Sequence, residues 1–516
     1  MDLAKCFLIT GMILALCADN GRADDMEIIA LEPDGVAALP EALPDMTKSM
    51  VEVRVSQIEA DRFLPWRNSV PRWQDGYAIA VRPGLFLVPE ELVRNHAAIQ
   101  LRRAGSLRPV PGEVVHADDR VGLAIIRATE PDWFSDAVPL SLLHEIPQNG
   151  DFTLLQWGAN DHLQVGVGNL LSIGFESVGE GIPPQLTYEL ASSMRIDHPG
   201  TPILHEGELA GLAMRFRGGR RTAVVLSPDN ITRFLEASEY ADYAGIPEPD
   251  FEFKPLANPV RRRFLGVPES LAEDGILVRA VFPHTDKDHG LQIDDVILSW
   301  DGHALDARGN YQHEIYGRIP FRHLLSQRSP GDHVPVQVIR DKTIQDVYVV
   351  MQTNDTFHRR IPRNETGQPD DYVIAAGLIF RELTVDFLKA FGERWERRGE
   401  IDLIWHAYTH SDQPEDAFKR TVMLVGVLAD PINIGYRELR YRIVTQVNGE
   451  PIRNLADLAQ KLEQDGFSGV TFAGMEAAPL RFVPAEVEEA NPRIQARFQI
   501  PALSRLTEQP EESSSR

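Results

Sequence analysis

Cysteine is almost absent from the sequence, and this limits how the protein can be stabilised. Only Cys6 and Cys17 occur among 516 residues, and both lie in an N-terminal stretch that we predict to be cleaved. The remaining chain would contain no thiol, which excludes disulfides and cysteine-bound metal sites. We therefore expect the folded domains to be stabilised by their hydrophobic cores alone.

Long apolar runs and positive charge are also scarce. Beyond the N-terminal stretch no segment approaches the roughly eighteen uncharged apolar residues of a membrane-spanning helix, so we expect no transmembrane segment. Lysine and arginine number 52 against 76 aspartates and glutamates, a formal charge of −24. A polyanion would be repelled over most of such a surface, which argues against a nucleic-acid partner.

The first residues, "MDLAKCFLITGMILALCADNGRADD", have the layout of a secretory signal peptide. A short head with Lys5 precedes an apolar run from Cys6 to Cys17, and small residues favour cleavage after Ala23. We therefore predict a signal peptide over residues 1–23 and an exported protein, periplasmic or extracellular. A lipoprotein signal at "LALC" is a second interpretation, ranked lower because Leu16 occupies a position where a small residue is wanted.

The next segment alternates short apolar runs with turn residues. Residues 24–48 read as a linker, and residues 49–241 contain "MVEVRV", "GYAIAV", "GLAIIRA", "DFTLLQW" and "GELAGLAM" among other short runs. Many closely spaced strands with almost no helical periodicity predict an all-β barrel or sandwich.

Two related units follow. The first covers residues 243–353 and the second residues 371–500, and each contains a hairpin of the form [VI]-x-x-[VW]-[ND]-G, with Asp301-Gly302 or Asn448-Gly449 at its tip. Residues 354–370 are polar and read as a linker. Residues 501–516 are predicted to be a disordered tail.

Several motifs in the same order resemble the HtrA/Deg family, in the branch with a divergent second PDZ-like domain. They are "FLPW" at Phe63–Trp66, "GLFLVPEELV", "VGLAIIRA", "RIPFRHLLSQRSPGD", "LADPINIGY" and "VNGEPIRNLADLAQKLE". The resemblance implies a mainly β protein with a trypsin-like double β-barrel (49–241) followed by two PDZ-like α+β domains. It also implies homo-oligomerisation, through "FLPW" or the second PDZ-like domain, although the "FLPW" aromatics could equally be core residues.

The catalytic positions implied by this resemblance carry the wrong residues for peptide hydrolysis. A serine protease needs a hydroxyl nucleophile, an imidazole base and a carboxylate that orients the imidazole. Glu91 occupies the histidine position and Gly122 the aspartate position, and an ungapped alignment puts Pro199 at the serine. Proline has neither a hydroxyl nor a backbone N–H for the oxyanion. A two-residue deletion would align Pro199-Gly200 with the family's N-P-G, which also leaves no G-x-S-G-G.

We therefore predict a pseudoprotease that acts as a protein- or peptide-binding scaffold or regulator, with envelope protein quality control as one setting. An active serine endopeptidase with an atypical site is the alternative, with Ser192 or Ser193 as the candidate nucleophile and His198 or Glu91 as the candidate base. The serines lie too far back along the strand, and His198 has no adjacent serine to activate. A holdase chaperone is a third possibility.

No metal or cofactor site is predicted. Asp286 and Asp288 alternate as in a calcium loop, but Gly290 replaces the third ligand. His313 and His323 lie ten residues apart without a supporting cluster, and we expect them to be ordinary surface residues.

The first PDZ-like domain offers a candidate peptide-binding segment. A PDZ groove adds a peptide to a sheet edge and receives its terminal carboxylate on backbone N–H groups. Here Asp250 replaces the expected glycine and Glu252 lies close by, so a C-terminal carboxylate would be repelled. The hypothesis is a groove for internal segments, formed by Asp250, Phe251, Glu252 and Phe253, and the alternative is that both phenylalanines fill the core.

Overall fold

A computed structural model gives the fold. It describes residues 45–507, apart from 131, 159–160, 180–181, 240–244, 248–250, 282–289, 354–359, 363–369, 393–394 and 411–418. The signal peptide, Asp250, Asp286 and Asp288 lie outside the described residues. Within the described part of the chain, no helix is both long and apolar enough to span a membrane.

The first barrel is a closed six-stranded sheet in the order β1-β2-β3-β6-β5-β4. Successive residues of its strands face opposite sides, so that Ala78, Phe86 and Val88 belong to one core cluster and Ile79, Leu87 and Leu123 to another. The elements are β1 (Met50–Gln57), β2 (Arg72–Arg82), β3 (Leu85–Pro89), α1 (Glu90–Val93), β4 (His96–Arg102), β5 (Val110–Asp118) and β6 (Leu123–Ala128).

The second barrel is also closed, in the order β10-β11-β12-β9-β8-β7. The helix α2 leaves it towards the next domain. The elements are β7 (Phe152–Trp157), β8 (Leu163–Glu176), β9 (Gln185–Ser192), β10 (Thr201–His205), β11 (Glu208–Arg217), β12 (Thr222–Leu226) and α2 (Pro228–Ala237).

The first PDZ-like domain has a sheet in the order β13-β14-β15-β19-β20 around the buried ring of Trp300. Asp301 takes a φ of 52° at the predicted hairpin tip. The elements are β13 (Phe251–Pro255), α3 (Pro259–Phe264), β14 (Ile276–Val281), β15 (Val296–Trp300), β16 (His303–Ala304), β17 (Asn310–His313), β18 (Gly317–Pro320), α4 (Arg322–Ser326), β19 (His333–Arg340) and β20 (Thr343–Val350).

The second PDZ-like domain has a sheet in the order β27-β26-β24-β23-β22-β21-β28. Asn448 has a φ of 55° at the corresponding hairpin tip. The elements are β21 (Tyr372–Ala375), β22 (Leu378–Glu382), α5 (Val385–Lys389), α6 (Trp395–Arg398), α7 (Ile401–His410), β23 (Val422–Val427), β24 (Arg442–Val447), β25 (Glu450–Pro451), α8 (Leu455–Asp465), β26 (Gly469–Phe472), β27 (Leu480–Arg481), α9 (Pro484–Phe498) and β28 (Ser504–Arg505).

Three expected boundaries of the linkers and tail are corrected by packing. Met46, in the expected linker 24–48, is 2% exposed in the barrel core. Ile361 and Asp370, in the expected linker 354–370, are 2% and 6% exposed. Ser504 and Arg505 pair with Tyr372 and Val373 as β28, so disorder does not begin at residue 501. The three departures have one reason in common. In each segment the residues that pack are few and are surrounded by polar residues, so the composition of the segment did not indicate the packing.

The prediction that the histidines of the first PDZ-like domain are ordinary surface residues was also wrong. His323 is 5% exposed and bonds Tyr311, with 2.6 Å between Nδ1 and the hydroxyl oxygen. Burial lowers the pKa of His323 to about 4. His313 stacks on Tyr316 with ring centroids 4.6 Å apart. These rings form an aromatic cluster, so they are not ordinary surface residues.

Tyr316 attaches this domain to the second barrel. Its hydroxyl donates to Asp229 Oδ2 on α2 (3.1 Å) and accepts the N–H of Ile146 (3.0 Å). Burial raises the pKa of Asp229 to about 6.

The "FLPW" aromatics pack within the chain. Phe63, Leu64 and Trp66 contact the core of the second PDZ-like domain. Of the two interpretations given above, the structure supports the packing role for these side chains.

The C-terminal strand gives a test of the boundary correction. Ending the chain at Ile500 removes the bonds from Ile374 N to Leu503 O (2.7 Å) and from the Tyr372 hydroxyl to Ala502 O (2.9 Å), and the guanidinium of Arg505. At about 1 kcal/mol per bond we expect a loss of roughly 3 kcal/mol of unfolding free energy, measured by denaturant unfolding. A chain ending at Thr507 is the matched control, and equal stability of the two truncated chains would contradict the assignment.

Candidate functional site

A cleft of about 1020 Å³ lies between the two barrels. Glu91 and Pro199, two of the three predicted site residues, line it, whereas Gly122 lies behind the wall near Met214. The three predicted positions thus lie in or beside one cleft.

Pro199 lies in a loop that the main chain fixes on both sides. Its carbonyl accepts the N–H of Tyr77 from β2 (3.0 Å), and the next N–H, of Gly200, donates to Ala213 O (2.9 Å). Gly200 has a φ of 80°, and a Cβ there would lie 2.2 Å from Tyr77 O. The loop is therefore held rigidly with a proline ring at the nucleophile position.

The second oxyanion donor is used within the chain. In trypsin-like enzymes the two donors are the N–H of the nucleophile and the N–H two residues earlier. Here the earlier group is Asp197 N–H, which donates to Gln156 Oε1 at 3.1 Å. The Gln156 amide is held in turn by Arg195 O at 3.1 Å, and its side chain is 2% exposed. The sequence analysis missed Gln156, although a lone amide inside the apolar run "FTLLQW" was a usable signal.

Glu91 lies on α1 with an exposed carboxylate. The Gln57 amide donates to the carbonyls of Glu91 (2.7 Å) and Leu92 (3.0 Å), which fixes this turn. A Cβ added to Gly179 would lie 3.0 Å from Glu91 Oε2, so the carboxylate reaches the opposite barrel.

The neighbouring carboxylate, Glu90, is buried and forms an ion pair. Glu90 is 1% exposed and pairs with Arg94 at 2.6 Å. Burial raises the pKa of Glu90, and the guanidinium of Arg94 opposes that rise. Glu90 is therefore a packed structural group beside the cleft rather than a second acid within it.

Gly122 has no room for a carboxylate side chain. Its φ is 77°, in the left-handed region that disfavours side chains. A Cβ there would lie 2.7 Å from Ile182 Cδ1 and 3.2 Å from Val178 Cγ2. Apolar side chains from the second barrel thus fill the space in which an aspartate would orient the base.

The nearby hydroxyls are engaged away from an imidazole. Ser193 Oγ accepts the N–H of Val167 (2.9 Å), and Ser192 Oγ accepts the N–H of Met194 (3.2 Å). The ring of His198 meets Tyr77 edge-on, with centroids 5.5 Å apart. In the described part of the chain, the hydroxyl–imidazole bonds lie in the PDZ-like domains, at Tyr311–His323, His406–Thr421 and Thr409–His410.

The charged groups of the cleft come from both barrels. Asp75 and Glu91 belong to the first barrel, and Asp197, Arg215 and Arg220 belong to the second. Arg215 bonds Ser177 O at 3.1 Å. Across the residues that the structure describes, no group of three histidine, cysteine or acidic side chains could hold a metal ion.

The second PDZ-like domain closes one side of the cleft. The lining of the cleft includes Lys389 at the end of α5, Trp395 at the start of α6, and Gly392 between the two helices. The sequence did not indicate this contact, because it joins segments about three hundred residues apart.

The predicted peptide-binding segment of the first PDZ-like domain is largely occupied by packing. Phe251 is 1% exposed beside Trp300, with ring centroids 5.7 Å apart. Phe253 is half-buried against Phe321, at 4.9 Å between centroids. Glu252 forms an ion pair with Arg279 at 3.5 Å. The core interpretation therefore describes the side chain of Phe251 in this structure.

Peptide addition to the second PDZ-like domain would meet the chain's own C-terminal strand. The edge of β21 is paired with β28, through Ile374 N and Leu503 O. A groove of about 190 Å³ remains between β21 and α8, lined by Val373, Leu462 and Phe467.

Comparison with known proteins shows a PDZ domain and several protease relatives. Residues 361–504 match the family model described as PDZ domain. Protease Do-like 2, chloroplastic, of Arabidopsis thaliana is 26% identical over 421 residues, which cover 80% of this chain and 68% of that protein. Protease Do-like 4, mitochondrial, of the same plant is 24% identical over 443 residues, covering 83% and 80%. The chain is thus similar to HtrA/Deg-type proteases over most of its length, and its C-terminal part matches a PDZ domain.

Solved HtrA-type structures are similar to part of this chain. HtrA-type protease AlgW with decapeptide is 15% identical and covers 60% of this chain and 96% of that chain, with a TM-score of 0.44. The serine endoprotease from Yersinia pestis is 15% identical and covers 60% and 95%, with a TM-score of 0.40. The predicted fold class, a mainly β double barrel followed by two PDZ-like domains, is confirmed by the observed topology and the PDZ match.

Phenylalanine substitutions separate packing from peptide binding in the first PDZ-like domain. Phe251→Ala should cost about 3–5 kcal/mol of unfolding free energy, because it empties a fully buried site. Phe253→Ala should cost less, and Glu252→Gln should change stability by no more than about 0.5 kcal/mol, as for an exposed ion pair. Calorimetric unfolding of the three variants measures these differences, and a harmless Phe251→Ala would contradict the packing assignment.

Proposed function

We propose that this protein is a catalytically inactive HtrA/Deg homologue that acts as a protein- or peptide-binding scaffold or regulator. The observation that carries the proposal is the state of the two oxyanion donors. Pro199 has no N–H, and the N–H of Asp197 bonds Gln156 at 3.1 Å. A tetrahedral intermediate at this position would lack its nucleophile and both donors.

The other two catalytic positions support the same proposal. Glu91 in place of an imidazole is a poor base for a serine hydroxyl, because its ordinary pKa is about 4.3. Gly122 is enclosed by Ile182 and Val178 at distances that exclude a side chain. Restoring one residue would therefore not restore the triad.

Binding is the activity that the remaining architecture supports. A PDZ domain is a peptide-recognition module, and the chain retains an open cleft lined by charged groups of both signs. We infer protein or peptide partners, a homo-oligomeric assembly as in the family resemblance, and no nucleic-acid partner. The signal-like N-terminus supports export to the periplasm or the extracellular space, where envelope protein quality control is the proposed setting.

A fluorophosphonate probe tests the absence of a nucleophile, because it labels an activated serine covalently. We expect no labelling of the purified full-length protein under conditions that label an active trypsin-like protease completely. Intact-mass spectrometry provides the readout. Labelling of one serine in the native protein, lost after heat denaturation, would establish the alternative of an atypical endopeptidase.

One observation favours holdase activity as a second candidate. Ile401, Trp405 and Tyr408 lie on one face of α7 and are 77%, 68% and 57% exposed. Exposed apolar surface of this kind binds the apolar segments of non-native proteins.

Aggregation assays test the α7 face. If the protein is a holdase, replacing Ile401, Trp405 and Tyr408 by serine should abolish suppression of the aggregation of a thermally unfolded client. The matched control replaces Val70, Leu107 and Leu171, which are also exposed, by serine. Equal suppression by both triple variants, or no suppression by the wild type, would exclude this role for α7.

A further inference from the structure

The second PDZ-like domain contains an aromatic socket that holds a loop from the first barrel. The socket is formed by Phe387 and Phe391, at and just after α5, and by Tyr441 before β24. We propose that this socket is a recognition site for internal polypeptide segments of the type Phe-x-Pro-Trp, and that the loop of residues 59–69 occupies it in the resting protein.

The occupying loop is structured by its own contacts. Asp61 Oδ1 accepts the N–H groups of Phe63 (2.8 Å) and Leu64 (3.1 Å), which forms a tight turn. Ala60 and Asn68 form a β-bridge that closes the loop. The barrel therefore presents Phe63 and Trp66 from a preorganised turn, which lowers the entropic cost of docking.

The socket receives the two aromatic side chains separately. Phe63 meets Phe387 and Phe391 edge-on, with centroids 5.7 and 6.0 Å away. Trp66 packs on Tyr372, with centroids 5.9 Å apart. Aromatic pairs in this geometry gain about 0.5–1.5 kcal/mol each beyond the area that they bury.

Two arginines of the domain donate hydrogen bonds to main-chain carbonyl groups of the loop. Arg381 donates to Arg62 O, and Arg505 Nη2 donates to Pro65 O at 2.8 Å. Asp370 holds Arg381 at 2.8 Å, and both side chains are 2% exposed. These contacts are to carbonyl groups within a chain, so the socket requires no terminal carboxylate.

The socket is separate from the PDZ groove described above. The groove lies between β21 and α8, whereas the aromatics that meet Phe63 come from α5, the residues just after it and the residue before β24. Tyr372, which packs on Trp66, belongs to β21 but does not line the groove. Because β28 already pairs with the edge of β21, the socket gives the domain a second, side-chain-directed mode of recognition. The proposal is independent of whether the cleft cuts peptides.

A peptide-binding experiment on the full-length chain tests the socket. The probe is a fluorescent synthetic peptide of residues 59–69, and the variant is Phe63→Ala with Trp66→Ala, which empties the socket. We expect the variant to bind the peptide at least tenfold more tightly than the wild type, because the tethered loop competes at an effective concentration in the millimolar range. Fluorescence anisotropy measures the affinity.

Three controls make the result specific. Val70→Ala, at a residue 82% exposed just beyond the loop, should bind as the wild type does. A peptide with alanine at both aromatic positions should not bind, and adding Tyr441→Ala to the double variant should reduce peptide binding at least tenfold. Should the double variant unfold, as judged by circular dichroism, the single substitution Phe63→Leu replaces it. Equal affinity of wild type and folded variant, or no binding to the folded variant, would overturn the proposal.

Discussion

Tyr77 is the contact on which the site depends, because it joins the two barrels at the cleft. Its backbone N–H donates to Pro199 O (3.0 Å), and its hydroxyl bonds both the N–H and the carbonyl of Trp157 (3.0 and 3.1 Å). The side chain is 1% exposed, and its burial raises the pKa of the hydroxyl, so it stays protonated as a donor. The barrel interface and the loop at the nucleophile position are therefore fixed by one residue. This constraint makes the loop rigid whether or not it catalyses a reaction.

A rigid loop with unsuitable chemistry is consistent with a retained binding surface. The contacts of Pro199 and Gly200 use carbonyl and N–H groups that most sequences could supply, so the loop keeps its path without a nucleophile. The bond between Gln156 and Asp197 uses the remaining donor as a structural contact. Catalysis needs specific groups at specific atoms, whereas the fold needs only the backbone pairing, and the two can therefore be lost separately.

The second PDZ-like domain links the cleft to the aromatic socket through a single short helix. α5 carries Phe387, which contacts Phe63, and Lys389, which lines the cleft. The two contacts lie within one helical turn, so the cleft and the socket share this helix.

The sequence predicted the elements whose information is local. Strand alternation predicted an all-β barrel or sandwich, and the turns at Asp301 and Asn448 marked two related units, because these features depend on neighbouring residues. The double barrel was implied by the family resemblance. Long-range contacts were not predictable in this way. Phe63 contacts Phe387, which is distant in the sequence. The polar segment of β28 becomes a strand because it pairs with Tyr372 and Val373 of β21. A periodic pattern within a short segment does not indicate which distant segment it will contact.

The candidate site shows the same difference between local information and long-range contacts. The family resemblance assigned Glu91, Gly122 and Pro199 to the catalytic positions from the order of the motifs, and Glu91 and Pro199 line one cleft. The contact of Gln156 could not be predicted, because only the fold brings Asp197 beside it. The burial of His323 on α4 was also missed, since its partner Tyr311 lies on β17.

The central claim is that the cleft does not hydrolyse peptide bonds, and prolonged digestion measures this most directly. A permanently unfolded polypeptide is incubated with an equimolar amount of the purified protein for days and followed by mass spectrometry. The account predicts that the polypeptide stays intact, with no fragment that exceeds the background of a protein-free incubation. Fragments that accumulate with the wild type and disappear with His198→Ala would contradict it.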